Sequence, residues 1–103
     1  MNAIRYQLVD SHTHLCDPIF DHDRDDVISR AKAAGVEKII SVSENMADAN
    51  RNLALAGIYP EILPAAGLYP TYLDLSQAHK MVEFIRRNGA EVVGRKPPWP
   101  KEL

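Results

Sequence analysis

An apolar run leads into a pair of histidines in Tyr6-Gln7-Leu8-Val9-Asp10-Ser11-His12-Thr13-His14-Leu15. The run from Tyr6 to Val9 predicts a short β-strand, and the polar motif follows at its carboxyl end. Residues two apart in a strand point to the same side, so His12 and His14 can both face one ion. Neutral imidazole is a good ligand for Zn²⁺ and similar ions. We therefore predict a metal-ligand pair at the end of the first strand.

The neighbouring polar residues support this interpretation to different degrees. Asp10 lies on the same side by parity, and a carboxylate there can orient a ligating ring from behind. Two surface histidines in a loop would give the same His-x-His pattern, but the position after an apolar strand favours metal binding. His22 stands among four aspartates in a helical first turn, and His79 stands in a later helix. Both are predicted to be surface residues.

Apolar runs and helical segments alternate along the chain. The predicted strands are residues 6–9, 38–42, 62–66 and 91–93, and the predicted helices are residues 21–34, 48–56 and 75–88. Asp74 is expected to cap the last helix, which would bury Leu75, Ala78, Val82 and Ile85. Gly35, Gly57 and Gly89 are expected to end the three helices. This alternation with short loops predicts an α/β fold with parallel strands and helical crossovers.

The spacing of the strands suggests a barrel. Successive strands start some 20 to 30 residues apart, close to the roughly 30 per unit of a TIM-type (β/α) barrel. The chain would then supply three βα units and a fourth strand, about half a barrel, although a small open sheet fits the same pattern. A half barrel leaves its outer strands unpaired, so we expect homo-oligomers or association with another fragment through these edges.

Bulk composition restricts the classes of protein. The 103 residues are 46% hydrophobic and 25% charged with a net charge of -2, which fits one small core and gives no basic footprint for nucleic acid. Cys16 is the only cysteine, so no internal disulfide can form, and a cytoplasmic location is expected. No stretch approaches the roughly 20 apolar residues of a membrane span, and no membrane association is expected.

Several motifs together resemble one enzyme family. The segment Asp10-Ser11-His12-Thr13-His14-Leu15, followed by Phe20-Asp21-His22-Asp23, resembles the opening of the TatD family of metal-dependent deoxyribonucleases. Gly35-Val36, the strand ending in Ser41-Val42-Ser43, and Ala66-Gly67-Leu68-Tyr69-Pro70 continue the likeness over residues 6–94. The first motif alone is also similar to amidohydrolase-like barrels and to histidinol-phosphatase-type phosphoesterases.

The resemblance implies a TIM-type barrel that hydrolyses DNA from an end. It implies one or two divalent ions (Zn, Mg or Mn) held by His12, His14 and later ligands, which activate water for attack on a phosphodiester. Tyr69 stands where the family commonly has the histidine of a Gly-x-His-Pro turn. Its phenol is a candidate for hydrogen bonding to substrate, or it packs beside Pro70.

The chain departs from the family pattern after residue 94. The family has a Gly-Glu-x-Gly-Leu-Asp segment there, whose glutamate bridges the metals, whereas this chain continues Arg95-Lys96-Pro97-Pro98. Glu91 precedes the predicted strand end and is interpreted as a surface charge. We assign residues 1–94 to a TatD-like N-terminal part and residues 95–103 to a Pro-rich tail outside the family. The change fits a shifted reading frame, an alternative end or a truncation.

Three functions remain open from the sequence. The first is a TatD-type deoxyribonuclease, with weak metal binding and little turnover expected of this chain alone. The second is an amidohydrolase or phosphoesterase on a related barrel that uses the same two histidines. The third is a non-catalytic fragment that associates through exposed strand edges. Its tail from Lys96 to Pro100 would then be either a polyproline ligand or a solvated end.

Overall fold

The computed structural model describes residues 7–72 and 74–92. Strands and helices alternate in the order β1 (Leu8–Thr13), α1 (Arg24–Ala33), β2 (Val36–Val42), α2 (Met46–Ile58), β3 (Ile62–Ala65) and α3 (Leu75–Val92). Short 3-10 helices occupy Pro18–Phe20 and Pro70–Tyr72. The strands form one parallel sheet in the order β1-β2-β3. The predicted α/β class with parallel βα units is confirmed.

The turn from α1 into β2 depends on a glycine in the left-handed region. Gly35 has a φ of 101°, a conformation that side chains rarely adopt. Its main-chain nitrogen donates to the Lys32 carbonyl, and its own carbonyl accepts from Leu8 at the start of β1. The predicted glycine cap is confirmed, and it also aligns the first two strands.

Helix α2 is longer at both ends than the sequence predicted. Oδ1 of Asn45 accepts a hydrogen bond of 2.9 Å from the Asp48 nitrogen, so this cap starts the helix at Met46. The prediction that Gly57 ends the helix was wrong, because the helix continues to Ile58. A glycine in a right-handed turn costs about 1 kcal/mol relative to alanine, too little to end a helix that packs on a sheet.

Strand β3 accommodates a proline because of its register. The nitrogens of Ile39 and Ser43 in β2 donate to the carbonyls of Glu61 and Ala65. Odd-numbered residues of this segment therefore bond toward β2, and the nitrogen of Pro64 faces the other side. The predicted third strand is confirmed despite its proline, since no ladder donor is required at that position.

Helix α3 begins as predicted and ends later. Oδ1 of Asp74 accepts from the Gln77 nitrogen at 2.7 Å, which confirms the cap. The predicted end at Gly89 and the fourth strand at residues 91–92 were wrong, because the helix runs to Val92. Extending a helix adds one hydrogen bond per residue, whereas two valines are too short a run to specify a strand. Residue 93 and the predicted tail at 95–103 lie outside the described residues.

The buried face of α3 also differs from the prediction. Leu75 is 76% exposed, and Val82 and Ile85 are exposed as well, whereas Met81 is only 4% exposed. The helix packs against α2, so the stripe through Met81 turns inward. Several apolar stripes are compatible with this sequence, and the orientation of the neighbouring helix selects one of them.

The core lies between the sheet and the helices that cross it. Its buried members are Leu15, Cys16, Ile28, Ile39, Leu55 and Ile62. In the part described, β1 and β3 are the border strands. Leu8 and Val9 of β1 are 47% and 59% exposed, so neither face of this strand is well covered. Within the described ranges, each helix is too short or too polar to traverse a lipid bilayer.

Candidate metal centre

The histidine motif lies on an irregular part of β1. Asp10 pairs with Ile39 and Thr13 pairs with Ser41, so β1 advances three residues while β2 advances two. The extra residue makes a β-bulge that includes His12. The sequence predicted that the strand would end at Val9, before the motif, but β1 continues to Thr13. Bulges are common beside active sites because they change the direction of a side chain.

The two predicted ligands lie side by side. The ring centroids of His12 and His14 are 5.2 Å apart, with the ring planes at 74°. An ion bound at a ring nitrogen lies about 3.2 Å from that ring's centroid, so a separation of 5.2 Å allows both rings to reach one ion. His12 is exposed and His14 is half-exposed, which leaves both rings accessible. The separation and accessibility of the two rings are compatible with two positions of a metal site.

The described residues supply no further cluster of ligands. Within residues 7–72 and 74–92, no group of three or more histidine, cysteine, aspartate or glutamate side chains is placed to hold an ion. Catalytic zinc typically keeps three protein ligands. The donor set in this part of the chain fits a divalent ion as two ligands of a larger set.

Asp10 contacts the main chain of the motif. Its Oδ1 accepts a hydrogen bond of 3.3 Å from the backbone nitrogen of His12. This contact satisfies a donor inside the bulge, where regular ladder pairing is interrupted. The described contact of Asp10 is therefore with the backbone of the predicted ligand, and it supports the bulge.

Glu44 is a site residue that the sequence argument missed. Its Oε1 lies 3.9 Å from Nδ1 of His14, and both side chains are 40% exposed. Glu44 lies two residues beyond the last residue of β2, as the histidine motif lies at the end of β1. Because the carboxyl ends of parallel strands meet at one edge of a sheet, the position of Glu44 just beyond the second predicted strand was the available signal.

The loop that follows β3 joins the same edge. The main-chain nitrogen of Tyr69 donates to the Glu44 carbonyl at 2.8 Å. The Ser43 hydroxyl donates to the Gly67 carbonyl and accepts from the Gly67 nitrogen, both at 2.8 Å. Tyr69 is half-exposed. Because Tyr69 bonds to Glu44 and Glu44 lies near His14, all three residues lie at the carboxyl end of the strands.

Two arginines hold the segment after the motif. Arg24 donates from Nε to the Leu15 carbonyl at 2.6 Å and from Nη2 to the Asp17 carbonyl at 2.9 Å. Arg51 donates to the Cys16 carbonyl at 2.9 Å. Guanidinium groups suit this task because their donors are planar and fixed. The chain leaving His14 is therefore anchored to both α1 and α2.

The cysteine of this segment is structural. Cys16 is fully buried, and burial followed by the nearby Asp48 charge raises the pKa of its thiol above 9.0. A protonated, inaccessible thiol is a poor nucleophile.

The other two histidines, His22 and His79, are exposed, as predicted.

Comparison with known proteins identifies relatives. The sequence model of the family described as TatD related DNase matches residues 9–95. Deoxyribonuclease TATDN3 of Homo sapiens is 38% identical over 71 residues, which is 68% of this chain and 26% of that protein. The 3'-5' ssDNA/RNA exonuclease TatD of Cronobacter turicensis is 39% identical over 51 residues, 50% of this chain and 19% of that protein.

A solved structure shares the fold. The crystal structure of YjjV, a TatD homologue from Escherichia coli K12, matches with a TM-score of 0.74 at 30% sequence identity. The match covers 84% of this chain and 34% of YjjV. YjjV is described as an uncharacterized metal-dependent hydrolase. This chain spans 19% to 35% of the length of these relatives.

Proposed function

Because this chain belongs to the family of TatD related DNases, we propose that it is part of a metal-dependent hydrolase that cleaves the phosphodiester bonds of DNA. The observation that carries the proposal is the pair of imidazoles, His12 and His14, 5.2 Å apart at the carboxyl end of a parallel strand. The names of two relatives, a deoxyribonuclease and a 3'-5' ssDNA/RNA exonuclease, support DNA as the substrate and removal of nucleotides from an end.

Family membership implies a divalent ion, and we propose His12 and His14 as two of its ligands. Zn, Mg and Mn, as one or two ions, are the candidates. A bound ion would supply an activated water and would stabilise charge on the phosphodiester oxygens. The imidazoles would hold it, while Asp10 keeps the bulge that positions His12. Tyr69, at the same edge, is the candidate to donate a hydrogen bond to a phosphate.

Two histidines make a weak site. Catalytic zinc sites usually have three protein ligands, whereas residues 7–72 and 74–92 hold no group of three histidine, cysteine, aspartate or glutamate side chains placed around one ion. We assign residues 1–94 to the hydrolase part and residues 95–103 to a separate tail. We expect this chain alone to bind metal weakly and to have little or no turnover.

The test is metal binding and nuclease activity measured on the same variants. Bound Zn, Mn and Mg are quantified for the 103-residue chain, and cleavage of end-labelled single-stranded DNA is then followed with each ion. His12→Ala and His14→Ala should each remove most of the bound metal and any metal-dependent cleavage. His22→Ala and His79→Ala are matched controls at exposed positions and should change neither. Metal binding that survives loss of both motif histidines would contradict the proposal.

We further propose that the chain is located in the cytoplasm, a reducing compartment. We also propose that it associates with other chains through its border strands. Leu8 and Val9 expose apolar surface on β1, which has a strand partner on one side only in the described sheet. Such edges pair readily with other strands. Light scattering after size exclusion should show dimers or larger species, and Val9→Lys should shift them toward monomer. A wild-type monomer at all concentrations would refute this association.

A further inference from the structure

The ring nitrogens of His14 have different surroundings. Nδ1 faces Oε1 of Glu44 at 3.9 Å, a carboxylate on the neighbouring strand end. In metal sites, a ligating histidine commonly donates its second ring N–H to a carboxylate, which sets the tautomer and the ring orientation. A histidine that donates from Nδ1 to Glu44 presents the lone pair of Nε2 to an ion.

Hydrogen bonds to both the nitrogen and the carbonyl of Glu44 fix its backbone, and with it the point from which the side chain extends. Its nitrogen donates to Oδ2 of Asp48 at 3.0 Å, and its carbonyl accepts from Tyr69 at 2.8 Å. Asp48 is itself part of the cap of α2, where its nitrogen donates to Asn45. The first turn of α2 and the loop after β3 therefore fix the position from which the carboxylate reaches His14.

The distance suits a contact that shortens when the site is occupied. Both side chains are 40% exposed, so the glutamate can change rotamer without repacking the core. Contacts of this kind are often long in the ligand-free protein and tighten in the complex. The described contact of Asp10 is different, because its Oδ1 accepts from the His12 backbone nitrogen.

We propose that Glu44 is a positioning residue of the metal site, which holds His14 as the Nδ1–H tautomer and reserves Nε2 for the ion. The part of this inference that concerns the ion rests on the proposed function. The part that concerns the tautomer is a property of the metal-free chain, and it can be measured separately.

The first measurement uses the metal-free protein with ¹⁵N-labelled histidine. Long-range ¹H–¹⁵N spectra at a pH where imidazole is neutral should show His14 mainly as the Nδ1–H tautomer. Glu44→Gln should shift His14 toward the Nε2–H form that free histidine prefers, while the exposed His22 stays unchanged as an internal reference. Glu37→Gln is the matched control, since it removes the same charge from an exposed position on β2.

The second measurement is the affinity for Zn²⁺ or Co²⁺ by titration of the same variants. Glu44→Gln should weaken binding about 10- to 100-fold, the usual cost of losing such a carboxylate. Glu37→Gln should bind like the wild type. Glu44→Asp, which keeps the charge on a shorter side chain, should recover part of the affinity, and thermal unfolding shows whether each variant is folded.

The two measurements separate the two ideas. An unchanged His14 tautomer in Glu44→Gln, or wild-type metal affinity in that variant, overturns the positioning role of Glu44 alone. A wild-type chain that binds no divalent ion overturns the proposed function, and with it the ion-directed part of this inference.

Discussion

Asn52 and Ser41 form a closed pair of hydrogen bonds inside the protein. The Ser41 hydroxyl donates to Oδ1 of Asn52 at 2.6 Å, and Nδ2 of Asn52 donates to the Ser41 carbonyl at 3.1 Å. Both residues are fully buried. This contact joins α2 to β2 three residues before Glu44. It therefore helps to set the orientation of α2 relative to the strand end that carries Glu44.

Asn52→Ala should therefore destabilise the fold strongly. The substitution leaves the buried Ser41 hydroxyl without its acceptor and removes one of the hydrogen bonds to the Ser41 carbonyl, at a cost of about 2–3 kcal/mol in the free energy of unfolding. Urea denaturation followed by circular dichroism measures the change. Asn50→Ala on the same helix is the control, because Asn50 is exposed and donates to the Met46 carbonyl of that helix. A loss below about 0.5 kcal/mol for Asn52→Ala would show that the pair contributes little.

Arg24 is expected to link stability to the metal site. Arg24→Met removes the donors to the Leu15 and Asp17 carbonyls and the 3.0 Å pair with Asp21. We expect a loss of about 2 kcal/mol in stability, since hydrogen bonds to charged groups are the stronger kind. Zn²⁺ affinity should fall as well, because the chain after His14 loses its anchor.

The control for this substitution is Arg30→Met on the same helix. Arg30 pairs with Asp26 at 3.4 Å with both side chains largely exposed, so its loss should change stability by less than about 0.5 kcal/mol. Equal effects of the two substitutions would contradict the anchoring role of Arg24.

Two glycines should respond in opposite directions to alanine. Gly35→Ala forces a side chain into a φ of 101° and should destabilise the protein by about 1–2 kcal/mol. Gly57→Ala places a methyl group in open space within α2 and should stabilise it by about 0.5–1 kcal/mol. Midpoints of thermal unfolding test both variants, and a stabilised Gly35→Ala protein would contradict the left-handed turn.

The pair between Lys32 and Glu61 should make stability depend on acid pH. Their atoms Nζ and Oε1 are 2.8 Å apart, and the hydrogen bond from Lys32 lowers the pKa of Glu61 below its ordinary 4.5. The ionised, bonded carboxylate therefore stabilises the fold above the unfolded pKa, and this stabilisation is lost as the pH falls through the lowered value.

Lys32→Met should flatten that part of the pH profile. Because Lys32 is more than half exposed, we expect a contribution below about 1 kcal/mol at neutral pH. Unfolding free energies measured between about pH 3 and 6 report the slope. Lys80→Met, at an exposed position on α3, should leave the slope unchanged, and an unchanged slope in Lys32→Met would refute the linkage.

Several features followed from the sequence because local physics determines them. The order of strands and helices follows from hydrophobic period, and Asp74 caps its helix because its side chain reaches a nitrogen three residues on. Gly35 adopts a left-handed turn because it has no Cβ. His12 and His14 are close because they are two residues apart at the end of β1, His12 within the strand and His14 just beyond it.

Other features depend on how distant segments meet, and only the tertiary structure decided them. The bulge in β1 exists only relative to the register of β2, and Glu44 approaches His14 only because two strand ends share an edge. The inward face of α3 depends on its packing against α2. These outcomes rest on contacts between residues far apart in the chain, for which hydrophobic period and local spacing carry no information.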